Sequence, residues 1–347
     1  MKRLLLLLLS AAFLNAETQA APPAASHPSK PYAKREDVHG FIRQMVEQHA
    51  FVESELRFLF GRARREPAIL AAIAPPKSAP MRSWQTYRGR FVTDARAVEG
   101  VEFWRRNTVA LERAALEHGV PEEIIVAIIG VETVYGRQMG SWRVIDALST
   151  LAFDYPPRAE FFRGELEQYL LFAREHGVDV FSVRGSYAGA IGIPQFMPGS
   201  YRRYAVDFDG DGVTDLRANP VDAIGSVANF LVKHGWRRGE RVHLPARVLG
   251  GNAGANAGGN AGNAHRALVD IGIEPKTSLA ELKRYGVEAR TDLALETPVA
   301  LIELASPGAP TEYRLGLRNF YVLTRYNRSV LYASAVYDLA QEIKSKR

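Results

Sequence analysis

Cysteine is absent from the 347 residues. The chain therefore has no disulfides and no thiol nucleophile, and it cannot carry a lipid through a cysteine. HExxH, the phosphate-binding GxxxxGK[ST] and GxSxG are missing too, which removes the commonest zinc-hydrolase, nucleotide and serine-nucleophile chemistries. Beyond the first twenty residues no apolar run is long enough to cross a bilayer. Acidic residues are outnumbered, 38 against 44 basic, for a net charge of +6. A basic surface favours a polyanion without saying which one.

The chain opens with MKRLLLLLLSAAFLNAETQA. Lys2 and Arg3, a short apolar core and then small residues have the layout of a secretory signal over 1–20, with processing after Ala16 or Ala20. A short N-terminal anchor is the alternative. Export to the periplasm argues against nucleic acid as the partner and leaves an acidic cell-wall polymer. A chain exported without disulfides must hold itself by core packing or by metal.

Composition divides the rest. Residues 21–35, rich in Pro, Ala and Ser, read as a linker. Residues 36–118 carry apolar positions at three- and four-residue steps (Phe41, Ile42, Met45, Phe51, Leu56, Phe60) and read as a helical domain. A core follows over 119–237, with helices expected after Pro121, over 158–176 and over 222–234. From 238 to 318 the pattern turns β-rich, and NFYVLTRY (319–326) has the same β-branched and aromatic character. Inside this region GGNAGANAGGNAGNA (250–264) is a low-complexity surface insert; no strand-to-helix pattern frames it as a dinucleotide fingerprint. Residues 319–347 return to the core, with a helix over 330–344. The class is mainly α, as α+β.

One residue breaks the pattern. In IIVAIIGVETVY (124–135), Glu132 stands at the end of a very apolar run. A helix continuing to a stop at Gly136 would stack it with Ile128, Ile129, Tyr135 and Gly136. Apolar neighbours and the negative end of the helix both raise a carboxyl pKa, as a general acid requires. The plainer alternative is a structural glutamate paired with Arg137 or Arg143. Downstream, GSYAGAIGIPQFMPGSY (185–201) supplies Ser186, Tyr187, Gln195 and Tyr201 as polar groups suited to a sugar, with Gly189 and Gly192 permitting close approach. Tyr87, Tyr135, Phe196, Tyr326 and Tyr332 are aromatic platforms of the kind sugars stack on.

Four blocks taken together, GVETVYGR (130–137), SYAGAIGIPQFMP (186–198), DFDGDG with PVDAIGSVANF (207–230) and FYVLTRYN (320–327), resemble the membrane-bound lytic transglycosylase B family. The resemblance covers about 37–345 and implies a lysozyme-like core flanked by a helical domain and a smaller inserted β-rich domain. It implies cleavage of the β-1,4 bond between N-acetylmuramic acid and N-acetylglucosamine in peptidoglycan strands, with Glu132 as the single catalytic acid and a 1,6-anhydro product. It implies Ser186, Gln195, Tyr87, Tyr326, Asn327 and Tyr332 as substrate-binding residues. No organic cofactor is expected. Glycosidases ordinarily use two carboxylates, and no second one stands in these blocks outside the acidic loop. A hydrolytic muramidase and a non-catalytic peptidoglycan-binding protein are the alternatives.

The acidic loop matches the first half of an EF-hand: Asp207, Asp209, Asp211 and Gly212, with Val213 offering a carbonyl. Such crowded carboxylates repel unless a cation lies between them. The twelfth position, normally a bidentate Glu, is Ala218. The resemblance implies a structural calcium ion and makes Asp222 the last ligand, with Asp215 in reserve.

Overall fold

A computed structural model describes residues 31–74, 83–249 and 264–347. The expected signal, residues 21–30 of the linker and residues 250–263 of the insert lie outside the described residues.

Fifteen α-helices dominate the described residues. Six come first: α1 (Glu36–His49), α2 (Glu53–Arg62), α3 (Pro67–Ile73), α4 (Trp84–Phe91), α5 (Asp94–Arg106) and α6 (Thr108–His118). On α1 the residues at three- and four-residue steps, Val38, Phe41, Ile42 and Met45, are the buried ones. The seventh, α7 (Glu122–Thr133), is buried at every position from Glu123 onward. A helix apolar on all sides belongs at the centre of a core. Its first turn holds Glu122 and Glu123, acids that suit the positive end of the helix.

Next come β1 (Trp142–Arg143), α8 (Val144–Asp154), α9 (Ala159–Glu175), β2 (Arg184–Gly185), α10 (Pro198–Tyr204) and α11 (Pro220–Lys233). Strands β1 and β2 pair antiparallel and open the loop that begins at Ser186. The chain ahead of α1 already belongs to this core. The Tyr32 hydroxyl donates to Asp154 Oδ2 at 2.8 Å, and Arg35 donates to Asp154 Oδ1 at 2.7 Å. Residues 31–35 are therefore packed rather than linker, because one buried aromatic and one paired arginine fasten them to α8.

The β-rich region holds β3 (His243–Val248), α12 (Arg266–Ile271), β4 (Thr277–Ser278), α13 (Leu279–Leu282), β5 (Val287–Glu288), β6 (Pro298–Leu304) and β7 (Glu312–Gly316). Its five strands form one antiparallel sheet in the order β4-β6-β7-β3-β5. Strand β6 shows why the sequence reads as a continuous apolar run. Val299 and Leu301 face a small cluster with Leu244, Leu268 and Leu315, whereas Ala300, Ile302 and Leu304 join the main core. Alternate residues of one strand thus serve two cores.

The last helices are α14 (Arg318–Tyr326) and α15 (Val330–Lys346). NFYVLTRY, expected as strand, is the body of α14. Its composition is β-like, but Phe320 and Leu323, and Asn319 and Val322, recur three apart and are buried together. Packing against α11, α15 and the end of β7 overrides the local preference. Helices α5, α6, α11 and α15 enclose α7.

Candidate active site

Glu132 is the penultimate residue of α7 and only 9% exposed. The helix ends at Thr133, and Val134 and Tyr135 both adopt left-handed backbone with φ of 51° and 60°. Gly136 is therefore past the stop, and Tyr135 does not stack beneath Glu132. That ring turns back between α5 and α7: it stacks on Phe103 with centroids 5.5 Å apart, and its hydroxyl donates to Arg96 O at 2.8 Å. Gly130 makes this possible, since a Cβ there would lie 2.6 Å from the Tyr135 hydroxyl.

The arginine pairing offered as the plainer account of Glu132 does not form. Arg137 pairs with Glu99, and Arg143 pairs with Asp146 at 2.6 Å. Glu132 Oε1 accepts one hydrogen bond, from the Tyr332 hydroxyl of α15 at 2.6 Å. Burial pushes its pKa from 4.5 up to about 7, and the Tyr332 hydrogen bond pulls the other way. No cation or second carboxylate among the described residues contributes to the shift.

Contacts close a ring around this carboxyl. Thr133 Oγ1 donates to Ile193 O at 2.7 Å and accepts from Gly136 N at 2.9 Å. The neighbouring Pro194 O accepts from the Tyr326 hydroxyl of α14 at 2.5 Å. Tyr326 stacks on Tyr332 with centroids 6.3 Å apart, and Tyr332 returns to Glu132. Three segments distant in sequence are thus tied about one proton-bearing group. Burial raises the phenol pKa values of Tyr332 and Tyr326, so both stay neutral donors, and the Glu132 charge adds to this.

The remaining expected residues divide. Tyr87, on α4, is half-buried and sits within electrostatic reach of Glu132, its pKa raised by burial and then by that charge. Ser186 Oγ accepts from Ala190 N at 3.0 Å. Gln195, with φ of 52°, donates from Nε2 to Met139 O and Gly192 O at 3.2 and 2.9 Å. Both side chains hold the loop in shape. Gly192 is required there: its φ is 76°, and a Cβ would come within 2.3 Å of Leu216 O. Asn327 Oδ1 is buried without a hydrogen-bond partner, and such an acceptor is a natural contact for a ligand donor. Tyr201 and Phe196 instead belong to the core. Tyr201 donates to Thr214 O and accepts from Leu216 N, each at 3.0 Å.

In the acidic loop, one oxygen from each of Asp207, Asp209 and Asp211 falls within 4.8 Å of the others. Asp207 accepts the backbone N–H groups of Gly210, Asp211 and Gly212, which lowers its pKa. An all-oxygen, triply acidic set suits a hard cation such as calcium. Val213 follows on the exposed turn, its N–H donating to Asp211 Oδ1 at 2.7 Å. Asp222, expected as the last ligand, stands outside the cluster. It is fully buried, and its two oxygens accept Phe208 N at 2.7 Å and Asp215 N at 2.8 Å, which closes the base of the loop. Asp215 is engaged by Arg217.

Comparison with known proteins places this geometry. Residues 33–341 match the family model described as Transglycosylase SLT domain. The chain is 41% identical over 324 residues to membrane-bound lytic murein transglycosylase B of Escherichia coli, covering 91% of this chain and 85% of that protein. The crystal structure of lytic transglycosylase SltB1 from Pseudomonas aeruginosa superposes with a TM-score of 0.82 at 47% identity, over 91% of this chain and 99% of that one. The Escherichia coli lytic transglycosylase Slt35 in complex with calcium superposes at 0.77 with 41% identity, over 91% and 94% of the two chains.

Proposed function

Because this chain belongs to the transglycosylase SLT domain family, and is a lytic transglycosylase of peptidoglycan, we propose that Glu132 alone performs both its proton transfers. The protonated carboxyl donates to the oxygen linking N-acetylmuramic acid to N-acetylglucosamine. The C1–O bond breaks, and the sugar leaves with a free 4-hydroxyl. The resulting carboxylate then takes the proton of the muramic C6 hydroxyl, whose oxygen bonds to C1. Glu132 recovers its proton and a 1,6-anhydro end forms without water. The observation that carries this reading is the isolation of the carboxyl: apolar surroundings, one phenolic partner and a pKa near neutrality.

Tyr87, Tyr326, Asn327 and Tyr332 line the groove beside it, and Ser186 and Gln195 shape its loop wall. Asp207, Asp209 and Asp211 hold calcium as a structural ion. The divisions at 36–118, 119–237, 238–318 and 319–347 are the working units. The N-terminal twenty residues direct export to the periplasm; among the described residues no helix is long and apolar enough to cross a membrane.

Mass spectrometry of sacculi digested by the enzyme tests the chemistry. Soluble fragments one water lighter than reducing muropeptides are expected, and Glu132→Gln should abolish their release while retaining binding. Reducing ends would instead identify a hydrolytic muramidase, and binding without release a non-catalytic module.

A further inference from the structure

A buried polar cluster joins the sheet to α4 and α15. Strand β7 places Arg314 on the core-facing side of the sheet, opposite Ile302 in register and 5% exposed. Its guanidinium donates to both oxygens of Asp338 on α15, at 2.8 and 3.0 Å, and to Glu312 at 2.6 Å. Asp338 Oδ2 also accepts Arg88 Nε of α4 at 2.8 Å. Glu312 accepts the indole N–H of Trp84 at 3.0 Å, and the Arg314 guanidinium lies 5.3 Å from that ring. One carboxylate thus joins two arginines, one from a helix and one from the sheet.

The positions on those helices matter. Arg88 immediately follows Tyr87 on α4, and Asp338 lies six residues beyond Tyr332 on α15, about 9 Å along the axis. The start of α4 is fixed to the sheet as well: Trp84 N donates to Ala305 O at 2.8 Å, and Gln85 N to Ser306 Oγ at 2.9 Å. Buried ion pairs contribute little net stability, because desolvation offsets their attraction. What they impose is one geometry. His243 Nε2 lies 3.3 Å from Arg314 Nη1. Burial, and then Arg314, depress the His243 pKa to about 4, so it adds no third positive charge.

We propose that the Arg88–Asp338–Arg314 cluster is a positioning device, through which the sheet sets Tyr87 of α4 and Tyr332 of α15 around Glu132. None of the three is a catalytic residue. The inference rests on the reading that Glu132 and Tyr87 act on the glycan, and it gives the β-rich region a task in the reaction.

Arg88 is the residue to vary, because it is 40% exposed and can be lost without stranding a buried charge. Asp338→Asn would leave Arg314 poorly compensated and report folding as well. Steady-state turnover of soluble glycan strands should show KM raised about tenfold in Arg88→Met, with an unchanged melting temperature and largely unchanged kcat. Arg88→Lys should recover most of the loss. If Arg88 acts through Tyr87, the double variant Tyr87→Ala/Arg88→Met should be no worse than Tyr87→Ala alone. Additive losses, a wild-type KM in Arg88→Met, or a wild-type Tyr87→Ala enzyme would each overturn the inference. A Glu132→Gln enzyme that still turned over would be a different failure, removing the catalytic reading beneath it.

Discussion

At the scale of single residues, the proposed chemistry depends on how one proton is held. It requires Glu132 to be protonated on substrate arrival, and burial raises its pKa to about 7. A group acting as acid loses competence as pH rises through its pKa, so kcat/KM should fall above about pH 7. The Tyr332 hydrogen bond works against the burial effect, since a phenolic donor stabilises the carboxylate. Tyr332→Phe should therefore move this limb to higher pH, by roughly one unit for a hydrogen bond worth about 1.4 kcal/mol. A pH–rate profile of the variant decides the matter, and a limb that stays in place or moves down rejects the role. Glu132 stood out in the sequence because a carboxylate in so apolar a run is rare. Its partner was not legible as a contact: Tyr332 lies 200 residues away, and the sequence offered it as an aromatic platform for a sugar, not as a donor to Glu132. Arg137 and Arg143, the near candidates, each had a closer acid.

At the scale of elements, the site depends on how α7 stops. A regular helix running to Gly136 would have carried Tyr135 under the carboxyl; two consecutive left-handed residues instead turn the chain away. Local pattern gave no warning, because β-branched Val134 disfavours that conformation. The compensation is tertiary, through Thr133, which binds both Gly136 N and Ile193 O. Thr133→Val keeps the shape and leaves both groups unpaired in a buried site. It should lower the unfolding free energy by about 1–3 kcal/mol, measured by urea denaturation with an unchanged m-value, and reduce turnover as the 186–196 loop loses its anchor. A variant as stable and active as wild type would show that the helix stop is set elsewhere. The same tertiary override explains α14, where strand-like composition yields a helix. By contrast α9, α11 and α15, whose periodicity and packing agree, were readable close to their observed ends.

At the scale of the whole molecule, a chain of 347 residues has no disulfide, and its described residues pack into two hydrophobic clusters that share strand β6. The loop between α10 and α11 is held toward its tip by Asn219 Nδ2, which donates to Asp209 Oδ2 at 2.8 Å, and is anchored at its base. Phe208 packs so closely on α11 that a Cβ on Gly225 would lie 2.2 Å from its ring, and Asp222 fastens the backbone there. The tip, by contrast, gathers three aspartates within 4.8 Å. Sequence spacing revealed these three; that Asp222 also accepts Phe208 N and Asp215 N depends on how the loop folds back on α11, which spacing does not show. A cation at the tip would cancel the repulsion and bind the native chain alone. At one hundred times its dissociation constant it would add about 2.7 kcal/mol to stability. Melting in excess calcium should therefore occur at a higher temperature than melting in chelator. Asp209→Asn should narrow that difference, whereas Glu281→Gln, on the distant α13, should leave it intact. Superimposable curves with and without the ion would mean that the aspartate tip contributes nothing to holding the fold.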